Sequence, residues 1–358
     1  MVPFIVLLTV PIIITPFLKN VKISKTSFYN FSLFLFFVIL TILVMFRHKY
    51  IGNDTGKYMT YFVKYSYYGW GQFRKAGIEP GFFIYNKIIA LFTRDPHVFI
   101  AVSGIVVSAL IYPTYRRLCE DPVLTIVLFC TMSTFSMMFS GIRQMLAVGI
   151  GLIAYEFVRR RKLIYFIILV VIAVTIHTSA FMLAFMYPLF YAKITRKWLF
   201  VVVPALAVLF VFNRQVFAAL GSILESFTEY EVSQTQTGAF TMLVLLVGFA
   251  VVAYLIPNES DLDDETLALR NFLLLTIVIQ MFAPLNFWAM RMNFYYLIFV
   301  PLLMPRILMR TSVRFGQISV IIRYAMIVFF LVYFFRTVGA SGGLHIAPYH
   351  FFWENYYL

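Results

Sequence analysis

A few side chains with usable chemistry stand where the chain is otherwise apolar. Arg143 lies in Ser140-Gly141-Ile142-Arg143-Gln144, between the apolar runs Pro122–Ser140 and Met145–Val158. His177 separates Leu163–Ile176 from Thr178–Tyr191, and Arg291 occupies Trp288-Ala289-Met290-Arg291-Met292-Asn293. Ionisable groups at membrane depth are costly and by default mark a functional site. A guanidinium is permanently charged and presents a planar fork of donors suited to carboxylate or phosphate; Gln144 adds an amide beside it. An imidazole takes or gives a proton near neutral pH. Two carboxylates complete the set: Glu79 before Pro80-Gly81, and Asp54 in the turn-like Gly52-Asn53-Asp54-Thr55-Gly56. Each group also has a plain structural reading. The arginines can snorkel to an interface, the histidine can be a satisfied core residue, and Glu79 can serve only a helix dipole.

The elements that must position these groups follow from composition. The chain has 358 residues, 62% hydrophobic and 12% charged, with mean hydropathy +0.89. A soluble domain carries about 25% charged residues. Apolar segments of bilayer length, roughly 20 residues, recur throughout, so the chain reads as an all-α polytopic membrane protein forming a single multi-span domain. The expected spans are Val2–Leu18, Phe28–Phe46, His97–Tyr115, Pro122–Ser140, Ile142–Val158, Leu163–Ile176, Thr178–Tyr191, Trp198–Phe212, Phe240–Ile256, Arg270–Trp288, Met292–Met304 and Ile318–Phe335, about twelve in all. The start lacks a basic leader and reads as a first span, not a removed signal. Phe82–Phe92 is too short to cross and suggests an interfacial or re-entrant helix.

The net charge is +14. The basic residues punctuate apolar segments, which points to topology and anionic lipid or substrate groups, not to nucleic acid. With the N-terminus outside, the cytoplasmic turns hold Lys19, Lys22 and Lys25; Arg116 and Arg117; Arg159 to Lys162; Lys193, Arg196 and Lys197; and Arg306, Arg310 and Arg314. That obeys the positive-inside rule. Arg143, His177, Arg291, the loop Arg47–Pro80 and the tail from Gly339 then all face outward. The acidic Glu259–Glu265 reads as a solvated cytoplasmic turn. Cys119 and Cys130 show no metal-ligand or disulfide spacing, and no phosphate-binding glycine loop is present.

The outer loop carries Arg47, Lys49, Lys57, Lys64, Arg74 and Lys75 against Asp54 and Glu79, interleaved with Tyr58, Tyr61, Tyr65, Tyr67, Tyr68 and Trp70. Two readings stand: an aromatic belt with solvated cations, or a site where bases hold phosphate and rings stack on sugars. The 14 residues of Leu163–Ile176 would rise about 21 Å, short of a bilayer core of about 30 Å. His177 would therefore sit below the outer surface. The tail holds His345 and Pro348-Tyr349-His350, and reads as an interfacial anchor or a cover over the site.

The chain resembles the EpsG family of bacterial polysaccharide polymerases, the Wzy-like proteins. The resemblance rests on Arg47 followed by Gly52-Asn53-Asp54 with Tyr58 beyond, and on Glu79-Pro80-Gly81-Phe82 leading into Asn86-Lys87. It continues through Arg143-Gln144-Met145-Leu146-Ala147, His177-Thr178-Ser179-Ala180, Arg291-Met292 with Tyr295-Tyr296, and Pro348-Tyr349-His350-Phe351. The set appears in family order over nearly the whole chain. Asn53-Asp54-Thr55 departs from it, since the family more often places an aromatic after the aspartate.

The resemblance implies a GT-C-like membrane glycosyltransferase in the bacterial cytoplasmic membrane. It would move a growing glycan from undecaprenyl diphosphate onto a lipid-linked oligosaccharide repeat unit at the outer face. Arg143, Gln144, Arg291, Arg47, Lys57, Tyr58 and Tyr349 would bind the substrate and its diphosphate. His177, Glu79 or Asp54, in that order, would serve as base. No metal or cofactor is expected, and a chain-length regulator and a flippase are the expected protein partners. A ligase using the same donor, or a flippase for the lipid-linked glycan, are the alternative readings.

Overall fold

The computed structural model describes residues 1–19, 25–223, 237–339 and 344–356, all helix and connection, with no strand among them. Lys22 and Gly342-Gly343 lie outside the described residues. The chain gathers into two compact units, Met1–Ala184 with Val320–Leu358, and Phe185–Ser319.

The first unit begins with α1 (Val2–Lys19) and α2 (Lys25–Met45), then α3 (Thr55–Ser66), α4 (Phe73–Ala76) and α5 (Pro80–Ala90). It continues through α6 (Pro96–Leu118), α7 (Pro122–Thr131), α8 (Ser133–Ser140), α9 (Ile142–Arg159) and α10 (Leu163–Ile176). Three of these helices start on proline at the first helical position, where the missing N–H costs nothing. Asp95 and Asp121 cap two of them, accepting from the amides of His97 at 2.8 Å and Leu124 at 3.3 Å. The segment expected as an outer loop is thus largely helical before α5. Its α3 packs on α5 and α6, and α5 packs on α10.

Pro122–Ser140, expected as one span, bends by 65° at Met132. Thr131 hydrogen-bonds back to the carbonyls of Val127 and Leu128, a side-chain alternative to helix continuation. Asp121 grips Arg323 through both carboxylate oxygens, joining the start of α7 to the last helix.

The second unit comprises α11 (Met186–Tyr191), α12 (Leu199–Val211), α13 (Asn213–Ile223), α14 (Thr237–Leu255), α15 (Asp264–Gln280), α16 (Phe287–Leu297) and α17 (Val300–Phe315). The chain then enters α18 (Gln317–Gly339), which rejoins the first unit from Val320. At the centre of the second unit is α15, packed on α11, α14, α16 and α17 and buried nearly all round. Its polar side chains reach across to neighbouring elements, as membrane helices use polar groups. Asn271 donates to the carbonyls of Leu189 (2.9 Å) and Ala192 (2.7 Å), and Gln280 to that of Ala239 (2.9 Å).

The acidic segment before α15 is exposed at Ser260, Asp261, Asp263 and Asp264, and its carboxylates at Glu259 and Asp263 are also paired. Glu259 accepts from Arg270 at 3.2 Å and from the Arg196 amide at 2.7 Å, while Asp263 meets Arg306 at 3.0 Å and Arg310 at 2.6 Å. Arg270 is fully buried, its guanidinium 4.1 Å from the Tyr254 ring centre.

Twelve spans are expected from the sequence. Among the described residues three helices are long and apolar enough to cross a membrane: Pro96–Leu118, Gly238–Leu255 and Gln317–Val338. The number rises to six if each of three bent pairs is one span. The difference has a physical source. Apolar stretches read as continuous are broken, as at Met132, or are short, as in Leu163–Ile176.

Candidate active site

The sequence sets Glu79, Arg143 and His177 on three separate segments, and the fold of the first unit brings them together. Glu79 occupies the position before Pro80 in extended conformation, but its carboxylate does not cap α5. It turns instead toward the ends of α9 and α10. Arg143, the second residue of α9, donates from Nη1 to Glu79 Oε2 at 2.6 Å. His177 Nδ1 lies 3.2 Å from Glu79 Oε1. Thr178 adds its amide at 3.2 Å and its hydroxyl at 3.3 Å to the same oxygen. Phe82, one turn along α5, places its ring centre 5.9 Å from the Arg143 guanidinium carbon.

The local sequence explains the approach. The helix α10 stops at Ile176; His177 is extended, its amide donating to the Ala173 carbonyl at 2.9 Å, and a 3-10 turn, Thr178–Phe185, follows. His177 is buried, with 3% of its surface exposed. Gly81 lets α5 lie against this end of α10. A Cβ there would stand 2.4 Å from Thr175 Oγ1 and 2.8 Å from its carbonyl oxygen, so any larger residue would push the two helices apart.

Burial alone would raise the Glu79 carboxyl pKa. The His177 hydrogen bond, the Arg143 charge and the backbone amides of Glu79 and Thr178 outweigh it and hold the group at about 2. Glu79 is therefore an ionised acceptor, so the proton between it and His177 sits on Nδ1. Arg143 is a quarter exposed at its side chain, and its buried Nε has no hydrogen-bond partner among the described residues. The cluster therefore combines an oriented imidazole with a guanidinium that retains donor capacity. That pairing suits proton removal from a hydroxyl beside a stabilised anion.

The other residues singled out in the sequence fall elsewhere. Gln144 is buried in α9 next to Arg143. Asp54 precedes α3 without capping it and pairs with the exposed Lys57 at 3.5 Å. Arg47 is 1% exposed, its Nε donates to Thr55 Oγ1 at 3.0 Å and its Nη1 to the Val44 carbonyl. It staples the end of α2 to the start of α3. Tyr58 is buried with its ring 5.8 Å from that of Phe82. Tyr349 is buried, with its hydroxyl donated to the Leu43 carbonyl at 2.7 Å. Arg291 belongs to the second unit, where its guanidinium lies 5.3 Å from the Trp288 ring centre.

The tail does cover part of the first unit. Residues 344–356 run beside the segment after α2: the amides of His48 and Gly52 donate to His350 and His345, and that of Phe352 to Phe46. Sequence reasoning quoted Thr178, Gly81 and Phe82 without giving them a role. The signal for Thr178 was its place after a histidine at a helix end, where its amide is not needed by the helix.

A model of the EpsG family matches residues 30–351. No curated protein and no solved structure matches the chain.

Proposed function

Because the chain belongs to the EpsG family, we propose that it is a polysaccharide polymerase that transfers a growing glycan from undecaprenyl diphosphate to the non-reducing end of a lipid-linked repeat unit. The observation that carries the reading is the Glu79 carboxylate gripping Arg143 and His177 together. In the proposed step His177 Nε2 takes the proton of the acceptor hydroxyl. The hydroxyl oxygen bonds to the anomeric carbon of the donor glycan, and the bond from that carbon to the diphosphate oxygen breaks. The electron pair leaves with undecaprenyl diphosphate, whose charge Arg143 stabilises. Glu79 orients the imidazole and guanidinium without reacting, since its low pKa makes it a poor base. A fixed guanidinium supplies the cation, so the reaction proceeds without metal. The reading includes the N-out arrangement, a GT-C-like multi-span body in the bacterial cytoplasmic membrane, and a site facing the periplasm or exterior. It makes no use of Arg47, Tyr349 or Arg291.

The test is reconstitution of the protein with a lipid-diphosphate repeat unit, without nucleotide and with a metal chelator. A ladder of products that is lost in folded Arg143→Ala and His177→Ala supports the reading. Transfer of a single finished glycan to a foreign acceptor would mean a ligase. Movement of the lipid between leaflets with no ladder would mean a flippase and overturn the catalytic reading.

A further inference from the structure

Beyond the cluster at its N-terminus, α5 carries a second surface. Ile84, Ile88 and Leu91 recur at helical spacing and are exposed, and Phe92 beside them is 85% exposed. Eleven residues rise only about 16 Å, too little to cross a bilayer. The stripe continues into the connection after α3, where Tyr67, Trp70 and Phe73 are exposed as well. These rings do not belong to a loose loop. Beneath them Tyr65, Ala76 and Phe83 form a small buried core, and the Tyr65 hydroxyl donates to the Ala76 carbonyl at 3.1 Å.

Cations stitch the two parts into one face. The Arg94 guanidinium lies 4.6 Å from the Tyr67 ring centre. Lys87 donates to the carbonyls of Ser66 (3.2 Å) and Tyr68 (2.6 Å) and lies 5.7 Å from the Trp70 ring centre. Lys64, Arg74, Lys75 and Arg94 are exposed. From Thr55 to Arg94 the sole acidic residue is Glu79, and its carboxylate is held by Arg143. The face therefore has an aliphatic stripe, a rim of tyrosine and tryptophan, and an excess of positive charge, against which stands the exposed carboxylate of Asp95 beside Arg94. That is the composition of a segment lying in a lipid headgroup zone. A glycan platform would need hydroxyl-binding groups where Ile84, Ile88, Leu91 and Phe92 offer only hydrocarbon.

We propose that the face formed by Tyr67–Arg94 is seated on a membrane surface and binds the phosphates of anionic lipid headgroups. Phe92 and Leu91 enter the acyl boundary, Tyr67 and Trp70 lie at headgroup level, and Arg74, Lys75 and Arg94 meet the phosphates. The seat then fixes α5, and with it Glu79. The inference rests on the membrane reading alone and not on the reaction.

The experiment uses full-length protein in vesicles of phosphatidylcholine, with or without phosphatidylglycerol. Phe92→Cys and Trp70→Cys are each labelled with an environment-sensitive dye, and mock-labelled wild type is the blank for Cys119 and Cys130. Nitroxide lipids should quench the dye at both positions, and phosphatidylglycerol should raise quenching at 70 severalfold. Arg74→Gln/Lys75→Gln/Arg94→Gln should abolish that increase while leaving position 92 quenched. Absence of quenching at both positions overturns the proposal, as does quenching indifferent to phosphatidylglycerol. Protection of the dye by a soluble acidic polysaccharide instead of by lipid also overturns it, in favour of a glycan site. Crosslinking of a photoactivatable phosphatidylglycerol to the unsubstituted protein gives the same decision if the cysteine variants do not fold; the adducts should map to residues 67–94. No turnover is needed, so an inactive protein leaves the result readable.

Discussion

Glu79 receives hydrogen bonds from an arginine, a histidine ring, an amide and a hydroxyl, and its behaviour follows from that saturation. Its pKa is about 2 in the fold against 4.5 without it. A depressed carboxyl contributes stability that is full above pH 4.5 and lost as the pH falls toward 2. Glu79→Gln should therefore cost roughly 2 kcal/mol at neutral pH, the scale of hydrogen bonds to a charged group. The gap between variant and wild type should narrow in melts recorded below pH 4.5. If His177 is the base, His177→Ala should lower turnover by roughly 10²–10⁴-fold in the ladder assay. Glu79→Gln should lower turnover as well, because the imidazole loses the carboxylate that orients it. Unchanged turnover would count against Glu79 as the partner that orients His177.

At the scale of elements, the site depends on how closely α5 meets the end of α10. Gly81→Ala would force a methyl against Thr175; overpacking of this kind costs about 1–3 kcal/mol. Activity should fall further than stability does, since the displacement separates Glu79 from His177. A ladder assay beside a melting curve measures both, and equal losses would argue that the contact is only packing. This geometry was partly legible in the sequence. The apolar run Leu163–Ile176 fixed the limits of α10 and the burial of His177, and the proline and glycine after Glu79 marked the start of a short helix. Periodicity carries no information on which helix ends meet, so the convergence of Glu79 with residues 64 and 98 positions away was out of reach. Nor does residue type show where donors point. Arg47 stands out in the sequence as a cation, and nothing there shows that its Nε and Nη1 turn to Thr55 and Val44. The break at Met132 has no proline to announce it.

At the scale of the molecule, the second unit is organised by charge. Burial tends to raise the Asp263 carboxyl, but hydrogen bonds from Thr266 and the charges of Arg306 and Arg310 hold it at about 2, below its usual 3.8. Its contribution is complete above pH 3.8 and fades toward 2. Glu259 faces the fully buried Arg270. Removing Glu259 would leave the buried Arg270 guanidinium without that counter-charge, which is destabilising. Glu259→Gln should accordingly lower the melting temperature of the detergent-solubilised protein more than Asp54→Asn does, since Asp54 pairs with an exposed lysine. Equal effects would show that the buried pair is no stronger a tie than the exposed one. These ties escaped the sequence reading because an acidic run between apolar segments looks the same whether water or arginine neutralises it.

The first unit is written in the chain in two instalments, with the whole second unit between them. Phe4 packs against Phe334, and the amide of Gly52 reaches its acceptor only at His345. The ribosome therefore makes Glu79, Arg143 and His177 early and the tail that covers residues 46–52 last. A nascent chain arrested after Ser319 holds Glu79, Arg143 and His177 already, yet leaves the turn around Arg47 without its covering tail. Protease added to such arrested chains should cut between residues 47 and 55, where the finished protein resists, so completion of synthesis would itself act as the closing step of assembly.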